Sequence, residues 1–218
     1  MNEVGCAVGG SARGLHVVET EPFTQRVLFN WDDRIARPAS ILRDVILSQK
    51  EHPSFEMSRL WANEFTLRAR LDGALSTKRN WILVPPPGRS GYGESDHAGA
   101  LVEALAAANR GHLVAEVETF ERVGESRRAK LKSQKLKTRE ERSTIEFRLS
   151  DFAKSRVRRA PGFIFVDDVI ATGATAKAAW IALGKPRAFE SWAIAFKVRE
   201  LPIRTESDPG SVRELSQI

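Results

Sequence analysis

The segment Phe163-Ile-Phe-Val-Asp-Asp-Val-Ile-Ala-Thr-Gly-Ala-Thr175 is the clearest indication of the fold in the sequence. Its first four residues are all apolar, which is typical of a strand buried on both faces of a parallel sheet. Two adjacent carboxylates follow, and a turn of small and hydroxylated residues then leads into an alanine-rich helix predicted over 175–183. A strand, a short loop and a helix in this order form the repeating unit of parallel α/β sheets.

Strand and helix signals alternate along the rest of the chain. Trp81-Ile-Leu-Val84 predicts a second buried strand, which a proline-rich loop ends before a helix over 96–109. Further strands are predicted over 27–31, 112–120, 144–149 and 191–198, and helices over 39–49 and 56–71. We therefore predict an α/β fold, with a mostly parallel sheet covered by helices on both faces. Ligands of such sheets bind at the carboxyl ends of the strands.

The composition predicts one folded domain over residues 1–218. The chain is 42% apolar and 28% charged, as in ordinary globular proteins. We predict a core over 76–200, a small N-terminal helical element over 15–75, and flexible ends over 1–14 and 204–218. Cys6 is the single cysteine, which excludes an internal disulfide and a cysteine-rich zinc ribbon. The sequence contains neither an apolar run of membrane-spanning length nor a secretory signal pattern, so a cytoplasmic protein is expected.

The turn after the two carboxylates has the composition of a phosphate cradle. Unpaired backbone N–H groups and the positive end of the helix would face a ligand there. Gly173 permits a close approach of the backbone, and the hydroxyls of Thr172 and Thr175 can donate hydrogen bonds. Asp167 and Asp168 would repel a phosphate, so they are expected to accept hydrogen bonds from sugar hydroxyls. The alternative is that the acids are solvated turn residues and the threonines only cap the helix.

This segment resembles the phosphoribosyl-pyrophosphate motif of type I phosphoribosyltransferases, in which an apolar strand precedes two acidic residues, a spacer and Thr-Gly-Gly/Ala-Thr. The resemblance implies binding of 5-phosphoribosyl-1-pyrophosphate (PRPP) and transfer of phosphoribose to a nitrogen acceptor, with Asp167 and Asp168 on the ribose hydroxyls. Mg²⁺ is implied as a substrate-bridging ion, without a metal site built from protein ligands alone. The implied PRPP-binding loop comprises Val169, Ile170, Ala171, Thr172, Gly173, Ala174 and Thr175.

The rest of the predicted core resembles the ComF-type branch of this family. Leu83-Val-Pro-Pro-Pro87 precedes Asp96-His-Ala98 at the start of a helix, as in that branch. Many ComF proteins carry an N-terminal zinc ribbon, and the cysteine count excludes one here. The segment 15–71 is expected to stand in its place as a small hood over the acceptor site. In the family the loop after the first core strand contacts pyrophosphate, which implies this role for Gly88 and Ser90 and a catalytic role for Arg89.

The charge of the chain indicates an anionic partner. Its net charge is +6 and its pI is near 9.8, and nine basic residues fall within 122–142. The resemblance places this basic segment in a lid whose cations close over pyrophosphate. A single-stranded nucleic acid is the alternative ligand, but the segment has no aromatic residues on which bases could stack. The individual PRPP-binding cations that we favour are Arg128, Lys130 and Lys132.

Two functions from different classes stay open. One is a phosphoribosyltransferase acting on PRPP and an unidentified acceptor. The other is a non-catalytic, ComF-like PRPP-binding accessory protein whose basic face meets nucleic acid. A pure nucleic-acid-binding module leaves the acidic pair Asp167 and Asp168 unexplained. Nucleic acid and a second copy of the chain are therefore candidate partners, and a membrane is not.

Overall fold

The computed structural model of the chain describes residues 14–20, 22–31, 38–52, 54–87, 97–123 and 145–197. Six of the described strands form a central sheet, and two form a separate antiparallel ribbon. In chain order the sheet strands are β1 (His16–Thr20), β2 (Phe23–Trp31), β3 (Trp81–Val84), β4 (Leu113–Ala115), β7 (Phe163–Ile170) and β8 (Phe189–Lys197). The ribbon consists of β5 (Phe120–Arg122) and β6 (Phe147–Leu149).

Five helices accompany the described strands. They are α1 (Pro38–Glu51), α2 (Phe55–Leu71), α3 (His97–Ala108), α4 (Lys154–Val157) and α5 (Ala174–Ala182). Ser54 begins α2 by accepting a hydrogen bond at its hydroxyl from the backbone N–H of Met57, and Glu56 adds a negative charge to the first turn. Among the described helices, none is both long and apolar enough to cross a lipid bilayer.

The direction in which successive strands are added to the sheet reverses between β3 and β7, which are neighbouring parallel strands. Its order is β1-β2-β8-β7-β3-β4, and every neighbouring pair is parallel except β1 with β2. From β3 the chain passes through α3 to β4 at one edge, whereas from β7 it passes through α5 to β8 on the other side. The loops after β3 and β7 therefore diverge, which is where open α/β sheets bind their ligands. The predicted α/β fold with a mostly parallel sheet is confirmed.

Residues of alternating parity pack on opposite faces of the sheet. Leu83 and Ile164 contribute to one apolar cluster, together with residues of α1, α2 and α3. Val84 and Phe165 contribute to a second cluster, together with α4, α5 and the β5–β6 ribbon. Helices thus cover both faces, because the central strands are apolar at successive positions and must be shielded on each side. The fully buried members of the first cluster include Phe65, Leu101, Leu105, Trp192 and Ile194.

The strand predicted over 112–120 is wrong in its extent. β4 ends at Ala115, a turn follows, and Phe120 begins the separate ribbon. The Thr119 hydroxyl donates a hydrogen bond to the carbonyl of Glu116 at 2.7 Å and closes that turn. The alternation of apolar and polar residues continues beyond the end of β4. Phe120 is apolar because it packs in the second apolar cluster, although it is not a residue of the central sheet.

The N-terminal segment 15–75 contributes strands as well as helices. β1 and β2 form an antiparallel hairpin, and β2 pairs in parallel with β8 inside the central sheet. α1 and α2 lie on the face that α3 also covers, where Phe65 stacks on Trp192 with ring centroids 5.8 Å apart. The aromatic contact anchors α2 over β8.

A buried ion network joins the amino ends of β2 and β8. The Glu190 carboxylate accepts hydrogen bonds from Arg26 Nε at 3.0 Å and Trp192 Nε1 at 2.8 Å, and its other oxygen lies 2.8 Å from Lys78 Nζ. The Lys78 side chain is 4% exposed, and its ammonium also donates to the Ala74 carbonyl. Every charge in the network thus has a partner, as buried charges require.

Replacing Glu190 with glutamine tests this network. We expect Glu190→Gln to lower the free energy of unfolding by about 3 kcal/mol, because the buried Lys78 charge loses its counter-ion. Urea denaturation followed by circular dichroism measures the change. The matched control is Glu64→Gln, which weakens the more exposed ion pair with Arg68 on α2 and should cost less than about 1 kcal/mol. Equal losses in the two variants would contradict this account of the core.

Candidate functional site

Two adjacent carboxylates lie inside the carboxyl-terminal half of β7. Asp167 pairs with Ala193 of β8, and the strand continues to Ile170. The carboxylates therefore belong to the ladder, which corrects the prediction that the strand ends at Val166. The long partner strand β8 supplies hydrogen bonds along the whole of β7, and the added ladder outweighs the low strand propensity of aspartate.

The carboxylates are oriented by the backbone that carries them. Asp167 Oδ1 accepts a hydrogen bond from the backbone N–H of Asp168 at 2.8 Å, and Asp168 Oδ1 accepts one from the N–H of Val169 at 2.8 Å. Asp168 is buried and Asp167 is half-buried. Each carboxylate is thus held in a restricted orientation at the edge of the sheet where ligands bind.

The turn that follows combines a hydroxyl contact from Thr172 with a left-handed glycine. Ala171 and Thr172 leave the strand, and Gly173 has φ of 70° where α5 begins. The Thr172 hydroxyl accepts a hydrogen bond from the backbone N–H of Ala174 at 3.3 Å, a contact of the kind that the alternative interpretation of the threonines expects. This long bond satisfies one N–H of the first turn, and the other N–H groups of that turn have no partner within the helix. The positive end of α5 consequently faces the end of β7.

A glutamine from a distant strand lies against this turn. A Cβ atom built on Gly173 would stand 2.7 Å from Gln25 Nε2, so the carboxamide occupies the space that a side chain there would need. Gln25 is on β2, outside every segment that the sequence predicted for the site, and it is 3% exposed. One signal in the sequence could have revealed Gln25. It lies midway between Phe23 and Val27, where the alternation of apolar and polar residues predicts an apolar side chain.

The proline-rich loop begins beside the carboxylates. Val84, the last residue of β3, pairs with Phe165 of β7, and Pro85 to Pro87 follow it. The adjacent strands therefore bring this loop and the acidic pair to the same edge of the sheet. The predicted ligands Gly88, Arg89 and Ser90 come next in the chain and lie outside the described residues.

The described residues on either side of 124–144 are held together by the ribbon. The backbone N–H of Val123 donates to the carbonyl of Glu146 at 3.1 Å, directly beyond β5 and β6. Phe120 and Phe147 of the ribbon pack on the same face of the sheet as α5. The ribbon that flanks 124–144 therefore lies on the α5 side of the sheet. Its predicted ligands Arg128, Lys130 and Lys132 lie outside the described residues.

The described residues contain no ready-made metal cage. Within the described ranges, no group of three or more His, Cys, Asp or Glu side chains is placed to hold a metal ion. His97 lies at the start of α3, where a histidine could act as a base, and it is 5% exposed. Asp167 and Asp168 contribute two carboxylates to the described part of the site.

The fold and this site define an α/β protein with a mostly parallel sheet and a candidate anion-binding turn at its point of reversal. In comparisons with known proteins, no family model and no curated protein matched the sequence.

Two glycine substitutions separate backbone strain from contact with Gln25. Gly173 and Gly184 have φ of 70° and 81°, so alanine at either position costs about 1 kcal/mol of left-handed strain. A Cβ at Gly184 would meet no atom within 4 Å, whereas one at Gly173 would clash with Gln25. We expect Gly173→Ala to lower the unfolding free energy by about 1 kcal/mol more than Gly184→Ala.

Chemical denaturation of both variants, alone and combined with Gln25→Ala, measures this difference. The truncation should remove the excess cost of Gly173→Ala and leave the cost of Gly184→Ala unchanged. If the excess persists without the Gln25 side chain, the contact is not its cause.

Proposed function

We propose that the chain is a type I phosphoribosyltransferase with a Rossmann-like fold, which binds PRPP and transfers its phosphoribosyl group to a nitrogen acceptor. The observation that carries this proposal is the continuity of β7, its acidic pair, the left-handed Gly173 and the start of α5. This continuity places carboxylates and helix N–H groups next to each other at the reversal of the sheet. A ligand that joins hydroxyl donors to a phosphate matches both.

The 5-phosphate would lie at the turn 171–175. The first turn of α5 offers backbone N–H groups and the positive end of the helix dipole. The Gln25 carboxamide fills the space beside Gly173 where a side chain would lie, and Thr172 is exposed. We infer that Thr172 and Thr175 donate to phosphate oxygens when the ligand is bound, with the Thr172 cap rearranging from its long contact to Ala174.

The ribose would lie over the end of β7. Its 2- and 3-hydroxyls are donors, and carboxylates are acceptors, so Asp167 and Asp168 would fix the ring by charge-assisted hydrogen bonds. Anchored at these hydroxyls and at the 5-phosphate, the ring has its C1 atom held in one place. A fixed C1 favours attack by an acceptor nitrogen as the bond to pyrophosphate breaks. The two carboxylates also place negative charge near an oxocarbenium-like ribose.

The leaving pyrophosphate requires cations. Magnesium, bound chiefly through substrate oxygens, would neutralise part of the pyrophosphate charge, and the carboxylate oxygens of Asp167 and Asp168 suit its preference for hard ligands. Arg89 would follow the loop that starts at Pro85, beside the acidic pair. The remaining cations would come from the basic segment, whose flanking ribbon lies on the α5 side of the sheet. The members of this set are Arg128, Lys130 and Lys132.

A second candidate function is a PRPP-binding accessory protein that does not turn over its ligand. The observation that favours it is the net charge of +6, with nine cations concentrated in 122–142. A nucleic acid that contacts this segment releases counter-ions, so its affinity would fall steeply with salt. Binding of PRPP would then regulate the nucleic-acid contact rather than feed a reaction.

Calorimetry tests the ligand site. We expect Asp168→Asn combined with Thr172→Ala to weaken PRPP binding in the presence of Mg²⁺ by about a hundredfold, because charge-assisted hydrogen bonds to ribose and phosphate are lost. Asp151→Asn is the matched control, since this carboxylate is exposed on the turn before α4 and should leave the dissociation constant unchanged. Unchanged binding by the double variant would refute the proposed site.

Release of pyrophosphate tests the reaction. With PRPP and Mg²⁺ present, we expect release above background with at least one acceptor from a panel of purines, pyrimidines and nicotinate-type acids. The Asp168→Asn variant should lose this activity. If PRPP binds without turnover on any acceptor, while DNA or RNA binds with a steep salt dependence, the accessory function replaces the transferase.

A further inference from the structure

We propose that Gln25 is a specificity-determining residue of the same site, whose carboxamide donates a hydrogen bond to the phosphomonoester held at the start of α5. This inference rests on the proposed function and extends its phosphate site from the turn after β7 to the strand β2. Gln25 lies far from the turn in sequence, so only the folded chain brings the two together.

The first support is the position of the carboxamide. Gln25 is 3% exposed, and its Nε2 atom lies 2.7 Å from the place that a Cβ on Gly173 would take. Gly173 is the residue from which the nine-residue helix α5 starts, and its φ of 70° turns the backbone sharply there. The amide donor is therefore aimed at the same turn to which the helix presents its own N–H groups.

The second support is that the carboxamide oxygen of Gln25 lacks a partner. Among the described residues, Gln25 Oε1 and Ser191 Oγ are buried and accept or donate no hydrogen bond. The two residues are direct neighbours across β2 and β8. The same rung continues with Phe165 and Val84, both fully buried and apolar. Buried polar groups without partners are uncommon and point to a role other than packing.

The chemistry of an amide suits a doubly charged phosphate. A glutamine donates a hydrogen bond without bringing a counter-charge into the sheet, where burial of an unpaired charge would be costly. Its donor approaches from β2, whereas the donors of α5 point along the helix axis. Donors that converge from two directions fit the tetrahedral oxygens of a phosphomonoester better than a planar carboxylate. We therefore infer that Gln25 favours phosphorylated sugars over sugar acids.

Substitution by methionine and by glutamate tests the assignment. Gln25→Met has nearly the same shape but no donor, and it should weaken binding of ribose 5-phosphate and of PRPP about tenfold. Gln25→Glu replaces the donor by a carboxyl group beside the phosphate, and it should weaken binding by about a hundredfold or more. Isothermal titration calorimetry measures both.

Gln49 provides the matched control. It is also a buried glutamine, but it lies on α1 and its Oε1 accepts the backbone N–H of Ser54 at 3.0 Å. Gln49→Glu should keep the affinity for ribose 5-phosphate within about twofold of the parent chain. The affinity for ribonate, the corresponding sugar acid, should respond less than that for ribose 5-phosphate in the Gln25 variants.

Unfolding of the same variants distinguishes ligand contact from support of the fold. Since Gln25 Oε1 has no partner, Gln25→Met should be at least as stable as the parent chain in urea, although it binds the phosphate more weakly. Parent-like affinity in both Gln25 variants would overturn this inference and leave the proposed function standing. Failure of the parent chain itself to bind either ligand would overturn both.

Discussion

The parallel pairing of β7 with β3 on one side and β8 on the other is the constraint on which the rest of the structure depends. A strand with hydrogen-bonded neighbours on both sides and helices over both faces can meet a ligand only at its end. Because β3 and β7 send the chain to opposite edges, their following loops diverge beside that end. Asp167, Asp168 and the turn at Gly173 belong to this one accessible edge.

The amino ends of β2 and β8 are joined by an ion network. At the amino ends of β2 and β8, the Glu190 carboxylate contacts Arg26, Lys78 and Trp192. Its negative charge compensates the charges of the two cations. On the adjacent rung between the same two strands, Gln25 and Ser191 have buried polar atoms without partners. The amino ends of β2 and β8 thus combine compensated charges with two polar atoms that the fold leaves unsatisfied, which is uncommon for buried groups.

The proposed chemistry is one of orientation rather than of a strong acid or base. The described residues around the turn are short carboxylates, hydroxyls and backbone N–H groups, and the candidate base His97 is buried at the start of α3. Such groups can bind a phosphorylated sugar at several points and hold one bond ready to break. The acceptor must then supply the nucleophile, and the loop from Pro85 onward and the basic segment must supply the positive charge for the leaving group.

Most of the strands and helices, the mostly parallel sheet and the segment that carries the candidate chemistry could be predicted from the sequence, whereas β1 and α4 were missed and β4 and β5 were predicted as one strand. The predicted features follow from apolar runs, a helix start and a glycine turn, each of which depends on residues that are neighbours in the sequence. The sequence predicted that β7 ends at Val166, because aspartate has a low strand propensity. It contained no indication that β2 would pair with β8. Only the tertiary structure extended β7 to Ile170 and brought Gln25 against Gly173. Strand pairing joins residues far apart in the chain, and a local pattern does not carry that information.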